Sequence, residues 1–325
     1  MRQFQSVNIS EVGLGTWQLG SADWGNVSEE SAFEILQKFV ELGGNFIDTA
    51  DVYGSGVSEQ VIGKFLKTRS EELFVATKLG RRGDNGNGWP QNFSYDNIKR
   101  HVEDSLRNLQ QEQLFLEQLH CIPTEELQKG EVFEHLRQLQ AQELIRYWGV
   151  SVETAEEGLL CLEQDGIASL QIIFNLFRQH IAEELFAKAQ EKGVALIVRV
   201  PLASGLLSGR FSANTTFAPT DHRNYNANGE AFNVGETFSG VAFEKGVEFA
   251  EKIAQLMPDE RLAQWSIRWI LDHPAVTTVI PGASKISQVV SNMEAAQLPS
   301  LNTTTHTALR ALYDTEIKAS IRGKY

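Results

Sequence analysis

The chain has 325 residues, of which 42% are hydrophobic and 22% charged, with a formal charge of −13. Those proportions supply a sizeable core and exclude a disordered chain. The acidic excess is spread over stretches such as Glu103-Asp104, Glu125-Glu126 and Glu156-Glu157, which disfavours nucleic acid or an anionic membrane as a partner, because both need a basic face.

No apolar run approaches the roughly 18 residues of a membrane span, and Met1 to Gln5 lacks the apolar core of a signal peptide. A cytoplasmic protein is the expectation. Cys121 and Cys161 have no paired spacing, so they read as free thiols, and no set of metal ligands stands out. The length suits one large α/β barrel or two ordinary domains.

In chain order, Phe4 to Ile9 reads as part of a hairpin that closes one end of the fold. Val12 to Trp17 is a short first strand ending in small residues that permit close approach. Ser28 to Leu42 has apolar residues at helical spacing and stops at Gly43-Gly44. Asn45 to Gly54 is a buried second strand running into a polar loop, with Asp48 and Tyr53 at its exit, and Val57 to Leu66 is helical again. Leu73 to Lys78 is the third strand, followed by the glycine-rich loop Gly80 to Gly88 and a helix from about Ser94 to Leu109. The fourth strand, Leu114 to His120, is stopped by Pro123, and a helix over Thr124 to Gln140 follows. Ile145 to Ser151, Leu170 to Asn175, Val194 to Arg199 and Thr277 to Ile280 are the fifth to eighth strands.

Eight such strands, most followed by a helical pattern, predict a (β/α)8 barrel in which a single domain covers residues 1–325. A long insert separates strands seven and eight. Its part from Phe211 to Gly240 is rich in Asn, Gly, Thr and Pro, with little core-forming material, and is expected to act as a lid or binding loop. Helical patterns follow at about Ala242 to Leu256 and Glu260 to Leu271.

Asp48, Tyr53, Lys78 and His120 lie at or just beyond the ends of strands two, three and four. These strands are neighbours in a barrel, so the four side chains can converge. Reduction of a carbonyl needs a proton delivered as charge develops on oxygen, and a tyrosine is a poor donor unless a nearby cation lowers its pKa. Lys78 is placed to supply that cation, Asp48 to hold Lys78, and His120 to orient the carbonyl. Taken singly, each has a plain structural reading as a surface lysine, its ion-pair mate or a satisfied histidine.

Gly13-Leu14-Gly15-Thr16-Trp17, the run Asn45 to Gly54 with Ser58-Glu59, Thr77-Lys78, Gln118-Leu119-His120, Gly149-Val150-Ser151, Gln171 with Asn175, and Pro201 to Gly209 together resemble the aldo-keto reductases. The resemblance runs from Gly13 to about Asn292. It implies a barrel binding NADP(H) without a G-x-G-x-x-G fingerprint, and no such motif follows a strand here. It also implies Tyr53 as proton donor, with Asp48, Lys78 and His120 completing a tetrad. Ser151 and Gln171 fall on the positions that hold the carboxamide, and Leu202, Ser204, Leu206, Ser208 and Arg210 on the pyrophosphate and ribose loop. Gly282, Ser284, Lys285, Gln288 and Asn292 fall at the adenosine end. Gly15, Thr16, Trp17, Asp48 and Arg199 complete the cofactor positions.

Several positions depart from the commoner family pattern. Val152 follows Ser151 where Asn is frequent, and Arg199 stands where an aromatic often stacks on the nicotinamide, although a planar guanidinium can stack as well. Phe174 and Glu117 replace residues that are more often Tyr.

The function implied is NADP-dependent, reversible reduction of a small aldehyde or ketone. Preference for NADP is expected to come from Lys285 in the first turn of a helix whose N–H groups favour an anion. Trp17, Trp24, Trp89 and the insert are expected to wall the substrate pocket. Two other readings compete: a cofactor-binding regulatory module like the channel-associated subunits of the same family, and an unrelated barrel hydrolase or isomerase using Asp48 and His120. The second has little support, since H-E-x-x-H and G-x-S-x-G are both absent.

Overall fold

The structure, a computed structural model, describes residues 1–20, 27–83 and 92–325. Trp24, Trp89 and residues 84–88 of the glycine-rich loop lie outside the described residues. A two-stranded antiparallel hairpin, β1 (Arg2–Phe4) and β2 (Val7–Ile9), opens the chain. Eight strands then follow in one sheet: β3 (Leu14–Gly15), β4 (Phe46–Asp48), β5 (Phe74–Leu79), β6 (Leu114–His120), β7 (Ile145–Ser151), β8 (Ser169–Ile173), β9 (Ala195–Arg199) and β10 (Val276–Val279). Neighbours in sequence are neighbours in space, and all pair in parallel.

The sheet closes on itself. Parallel bridges join Val12 to Val279 and Gly15 to Gly282, with Gly13 N–H donating to the Val279 carbonyl at 2.8 Å and Gly15 N–H to that of Pro281 at 3.1 Å. A side chain at Gly15 would bring its Cβ to 2.8 Å from the Ile280 carbonyl oxygen, so this glycine is required by closure of the barrel wall.

Helices cover the outside: α1 (Trp17–Gly20), α2 (Glu29–Glu41), α3 (Val57–Leu66), α4 (Tyr95–Leu109), α5 (Thr124–Lys129), α6 (Glu131–Ala141), α7 (Ala155–Leu162), α8 (Ile181–Glu191), α9 (His222–Tyr225), α10 (Phe243–Leu256), α11 (Leu262–Leu271), α12 (Ile286–Glu294) and α13 (Thr303–Leu312). Strands such as β5 are buried along their whole length because one side meets the barrel interior and the other the helices. Phe4 and Ile9 of the hairpin join Phe46, Phe74, Leu116 and Ile197 in a separate interior cluster, so the hairpin plugs the barrel at its amino end.

Two elements differ from the sequence expectation. The helix over Thr124 to Gln140 is two helices, because Gly130 takes a left-handed conformation at φ 81° between them and breaks the hydrogen-bond ladder. The sixth strand ends at Ile173. Asn175 beyond it donates its side-chain amide to the Val200 carbonyl at 2.8 Å and the Ser239 hydroxyl at 2.7 Å, tying the strand exit to the insert.

The insert also has more core than its composition indicates. Phe211, Phe217, Phe238 and Phe243 form a ring cluster with centroid separations of 5.2–6.0 Å, and Phe238 is buried. Four aromatic side chains bury enough apolar area to hold an otherwise polar segment.

The interior plug generates a stability prediction. Phe4→Ala removes a fully buried ring and should cost about 3–5 kcal/mol, read as a lower urea midpoint with an unchanged slope; an unaltered midpoint would show that the hairpin does not close the core.

Candidate active site

Strand register gathers the polar residues at the carboxyl ends of the barrel strands. Asp48 pairs with Ala76, Lys78 with Gln118, His120 with Ser151, and Ser151 with Gln171. Side chains on successive strands are thereby brought into one layer at the barrel mouth.

Lys78 is fully buried and organises this layer. Its Nζ donates to Asp48 Oδ1 at 2.6 Å and to the Thr49 carbonyl at 2.6 Å, and lies 3.5 Å from the Tyr53 hydroxyl. The second carboxylate oxygen of Asp48 accepts from Gln171 Nε2 at 2.7 Å and Gln118 Nε2 at 3.4 Å. Burial alone would lower the Lys78 pKa, but Asp48 and Tyr53 outweigh it and hold the ammonium above its usual value. Tyr53 stacks on Trp17 at 6.0 Å between ring centroids and meets the His120 ring edge-on at 5.9 Å.

Asp48, Lys78, Tyr53 and His120 thus lie together, but the electrostatics differ from the expectation. Burial pushes the Tyr53 hydroxyl above its ordinary range, and the downward pull of Lys78 does not overcome it. Tyr53 therefore stays protonated at neutral pH. His120 is held well below the usual imidazole value, first by burial and then by the cations Arg81, Lys78 and Arg199, so it is neutral.

A cavity of about 570 Å³ opens from this layer, within the range of about 300–1,000 Å³ typical of ligand sites. Gly15, Thr16, Trp17, Asp48, Tyr53, Gln171, Arg199, Leu202, Ser204, Ser208, Arg210, Gly282, Ser284, Gln288 and Asn292 all line it. Its backbone walls are strained. Val200, a β-branched residue, has φ 54°, and Ala203 and Ser204 have φ 47° and 54°, conformations that cluster at ligand sites.

Other expected site residues lie off this lining or already have hydrogen-bond partners, and His120 and Lys78 are likewise absent from the lining. Leu206 is buried in the core and packs toward α10, where a Cβ on Gly246 would touch it at 2.4 Å, so its side chain faces away from the cavity. Ser151 is buried, with the Cys121 thiol 3.4 Å from its hydroxyl, and does not line the cavity. Lys285 is exposed at the N-cap of α12 and likewise lies off the lining. Gln288 Oε1 accepts from the Ser284 and Lys285 backbone N–H groups at 2.8 and 3.1 Å, so donors expected to face an anion are already engaged. The Ser204 hydroxyl donates to the Glu236 carbonyl at 3.0 Å, and is spent on the insert.

Sequence reasoning missed Arg223, Glu236, Arg261 and Gln264, which also line the cavity. Arg199 and Glu236 form a buried ion pair at 2.5 Å. These residues sit in the insert or the helix after it, where a lone charge in a polar stretch carries no local signal. Arg223 and Arg261 are themselves held by carboxylates, Asp221 at 2.6 Å and Asp259 at 2.6 Å, and with Arg210 they line the cavity with guanidinium groups of the kind that bind phosphate.

The buried Lys78–Asp48 pair makes a distinctive prediction. Lys78→Met strands a buried carboxylate and should lower stability by about 3–5 kcal/mol, whereas adding Asp48→Asn should cost little more. Denaturant titration of the two single variants and the double checks this, and strictly additive losses would mean that the charges are not coupled.

The aldo/keto reductase family profile matches residues 11–314. The chain is 31% identical over 314 residues to an uncharacterized oxidoreductase, YqkF, of Bacillus subtilis (strain 168), an alignment covering 96% of this chain and 92% of that one. It is similar to the structure of the glycerol dehydrogenase AKR11B4 from Gluconobacter oxydans, with a TM-score of 0.78, 27% identity and coverage of 100% of this chain and 98% of the other. An aldo/keto reductase from Klebsiella pneumoniae in complex with NADP and acetate is 25% identical with a TM-score of 0.66, covering 94% of this chain and 92% of that one. With the eight-stranded barrel and the buried layer at its mouth, these matches show that the chain belongs to the aldo/keto reductase family.

Proposed function

We propose that the protein is an NADP-dependent oxidoreductase that reversibly reduces a small aldehyde or ketone to an alcohol. The observation that carries this reading is the Tyr53 hydroxyl 3.5 Å from Lys78 Nζ, with Asp48 bonded to that lysine at 2.6 Å, on the wall of a cavity of about 570 Å³. When bound, NADPH supplies the hydride.

The residues present fit that cofactor. Asp48 and Gln171 line the cavity together with Tyr53, as do Val200, Pro201, Leu202, Ser204 and Gly205 and the polar residues Arg210, Arg261, Ser284, Gln288 and Asn292. The Klebsiella relative, solved with NADP, supports the choice. As negative charge grows on the carbonyl oxygen, Tyr53 releases its proton, and Lys78 stabilises the phenolate left behind. Neutral His120 donates a hydrogen bond to the same oxygen, which sets the direction of the carbonyl. Trp17 and Phe232, with ring centroids 6.1 Å apart, shelter the Tyr53 side. The likeness to a glycerol dehydrogenase supports short hydroxylated carbonyl compounds as substrates.

Tyr53→Phe should reduce carbonyl turnover by at least about 10²–10⁴-fold, the usual contribution of general acid catalysis, while NADPH affinity stays near that of the parent. Retained turnover in a step limited by chemistry would remove Tyr53 as the donor. Because burial holds the Tyr53 hydroxyl high, a decline in the reductive rate caused by its ionisation should set in only at more alkaline pH than an ordinary tyrosine would give.

We propose that recognition of the NADP 2′-phosphate falls to Arg261, which lines the cavity and whose guanidinium Asp259 holds in place at 2.6 Å, rather than to Lys285, which is off the lining. Arg261→Ala should weaken NADPH by about tenfold or more, the scale of a lost charge-assisted hydrogen bond, and leave NADH little changed. Lys285→Ala should alter neither. Calorimetric titration with both cofactors decides the matter, and the reverse pattern would restore Lys285.

A further inference from the structure

Lys78 and Asp48 form a buried ion pair at 2.6 Å and Arg199 and Glu236 a second at 2.5 Å, while the half-buried pair Arg81 and Glu153, 3.7 Å apart, adjoins the second through Glu153. The second pair differs in that its members come from separate parts of the fold: Arg199 ends β9, while Glu236 is carried by the insert. Both line the cavity together with Tyr53, Asp48 and Gln171, and each lies near enough to Tyr53 to act on its ionisation.

The Arg199 guanidinium is held in place. Nη1 meets Glu236, and Nη2 donates to the Val152 carbonyl at 3.1 Å and lies 3.5 Å from the Cys121 sulfur. Glu236 is equally fixed: its backbone carbonyl accepts from the Ser204 hydroxyl at 3.0 Å and its backbone N–H donates to the Asn233 carbonyl at 3.0 Å. Neither charge can move away without disturbing the insert.

Hydride transfer to a carbonyl protonated by Tyr53 requires the nicotinamide ring at this end of the cavity. The reduced ring is neutral, and the oxidised ring carries a positive charge. An uncompensated Arg199 would therefore oppose the oxidised cofactor and be nearly indifferent to the reduced one. Burial magnifies the difference, because solvent screening is weak there.

We propose that Glu236 is the counter-charge that allows the cationic, oxidised nicotinamide to sit beside Arg199, and that it thereby sets the ratio of NADP⁺ to NADPH affinity and the reversibility of the reaction. This inference rests on the functional reading above. Within it, Glu236 acts through Arg199 and is a positioning and charge-compensating residue.

The test is calorimetric titration of NADP⁺ and NADPH, each separately, into the full-length protein and three variants. Glu236→Gln keeps the shape and removes the charge, so the ratio of NADP⁺ to NADPH dissociation constants should rise by about tenfold or more, the effect of one unscreened charge at contact range. Arg199→Gln, which leaves the carboxylate alone, should shift the ratio in the opposite direction. The double variant should return it to within about threefold of the parent, since both charges are gone. A purely structural role for Glu236 would weaken both forms by the same factor, and that result, or an unchanged ratio in both single variants, overturns the proposal. Should Glu236→Gln fail to fold, the opposite shift in Arg199→Gln still decides it. Failure of the parent protein to bind either form would instead overturn the functional reading.

Discussion

The rest of the site depends on a buried lysine that must not be left without a counter-charge. Lys78 lies beneath the barrel mouth with no access to water, and Asp48 on the second barrel strand is the group that compensates it. Such a pair contributes little net stability, because removing two charges from water costs about as much as their attraction returns. A well-packed apolar pair would serve the fold at least as well. What the ion pair provides is a fixed cation 3.5 Å from a tyrosine hydroxyl in a place where fields are weakly screened. Lys78 also donates to the Thr49 carbonyl, and the second Asp48 oxygen accepts from Gln118 and Gln171, so that the arrangement is locked from several strands.

The barrel alone makes only part of the cavity. Its other wall comes from the insert after β9, which is held by its own phenylalanine cluster and by hydrogen bonds from Asn175 and Ser204. The strained turn at Val200 to Ser204 lies at the junction. Rigid strands therefore fix the proton donor, while a semi-independent segment presents Glu236 and Arg223 to the same cavity. This division matches the usual placement of chemistry on the scaffold and ligand choice on the loops.

Much of the barrel was legible because its signals are local. Apolar runs ended by polar residues marked β5 and β6, and the charged or hydroxyl groups at their ends were the ones that converge. The break at Gly130 was not legible, since one glycine in a helical pattern is usually tolerated. Sequence reasoning also misjudged the insert, where four phenylalanines scattered among polar residues have no period to betray a cluster. Glu236 and Arg261 escaped for a related reason: their place at the cavity depends on partners and walls supplied by other elements. Lys285 illustrates the converse, because a cation in the first turn of a helix satisfies a sound rule while its side chain points to solvent and a glutamine already occupies the neighbouring N–H groups.

The central claim is that this buried layer performs carbonyl reduction and is not merely a receptacle for a dinucleotide. Its most direct test follows NADPH consumption and alcohol formation by the unmodified protein against a panel of short aldehydes, hydroxyaldehydes and ketones. Sustained turnover, with one alcohol formed per NADPH consumed, is the result predicted. Firm binding of NADPH with no turnover of any carbonyl compound in the panel would contradict it.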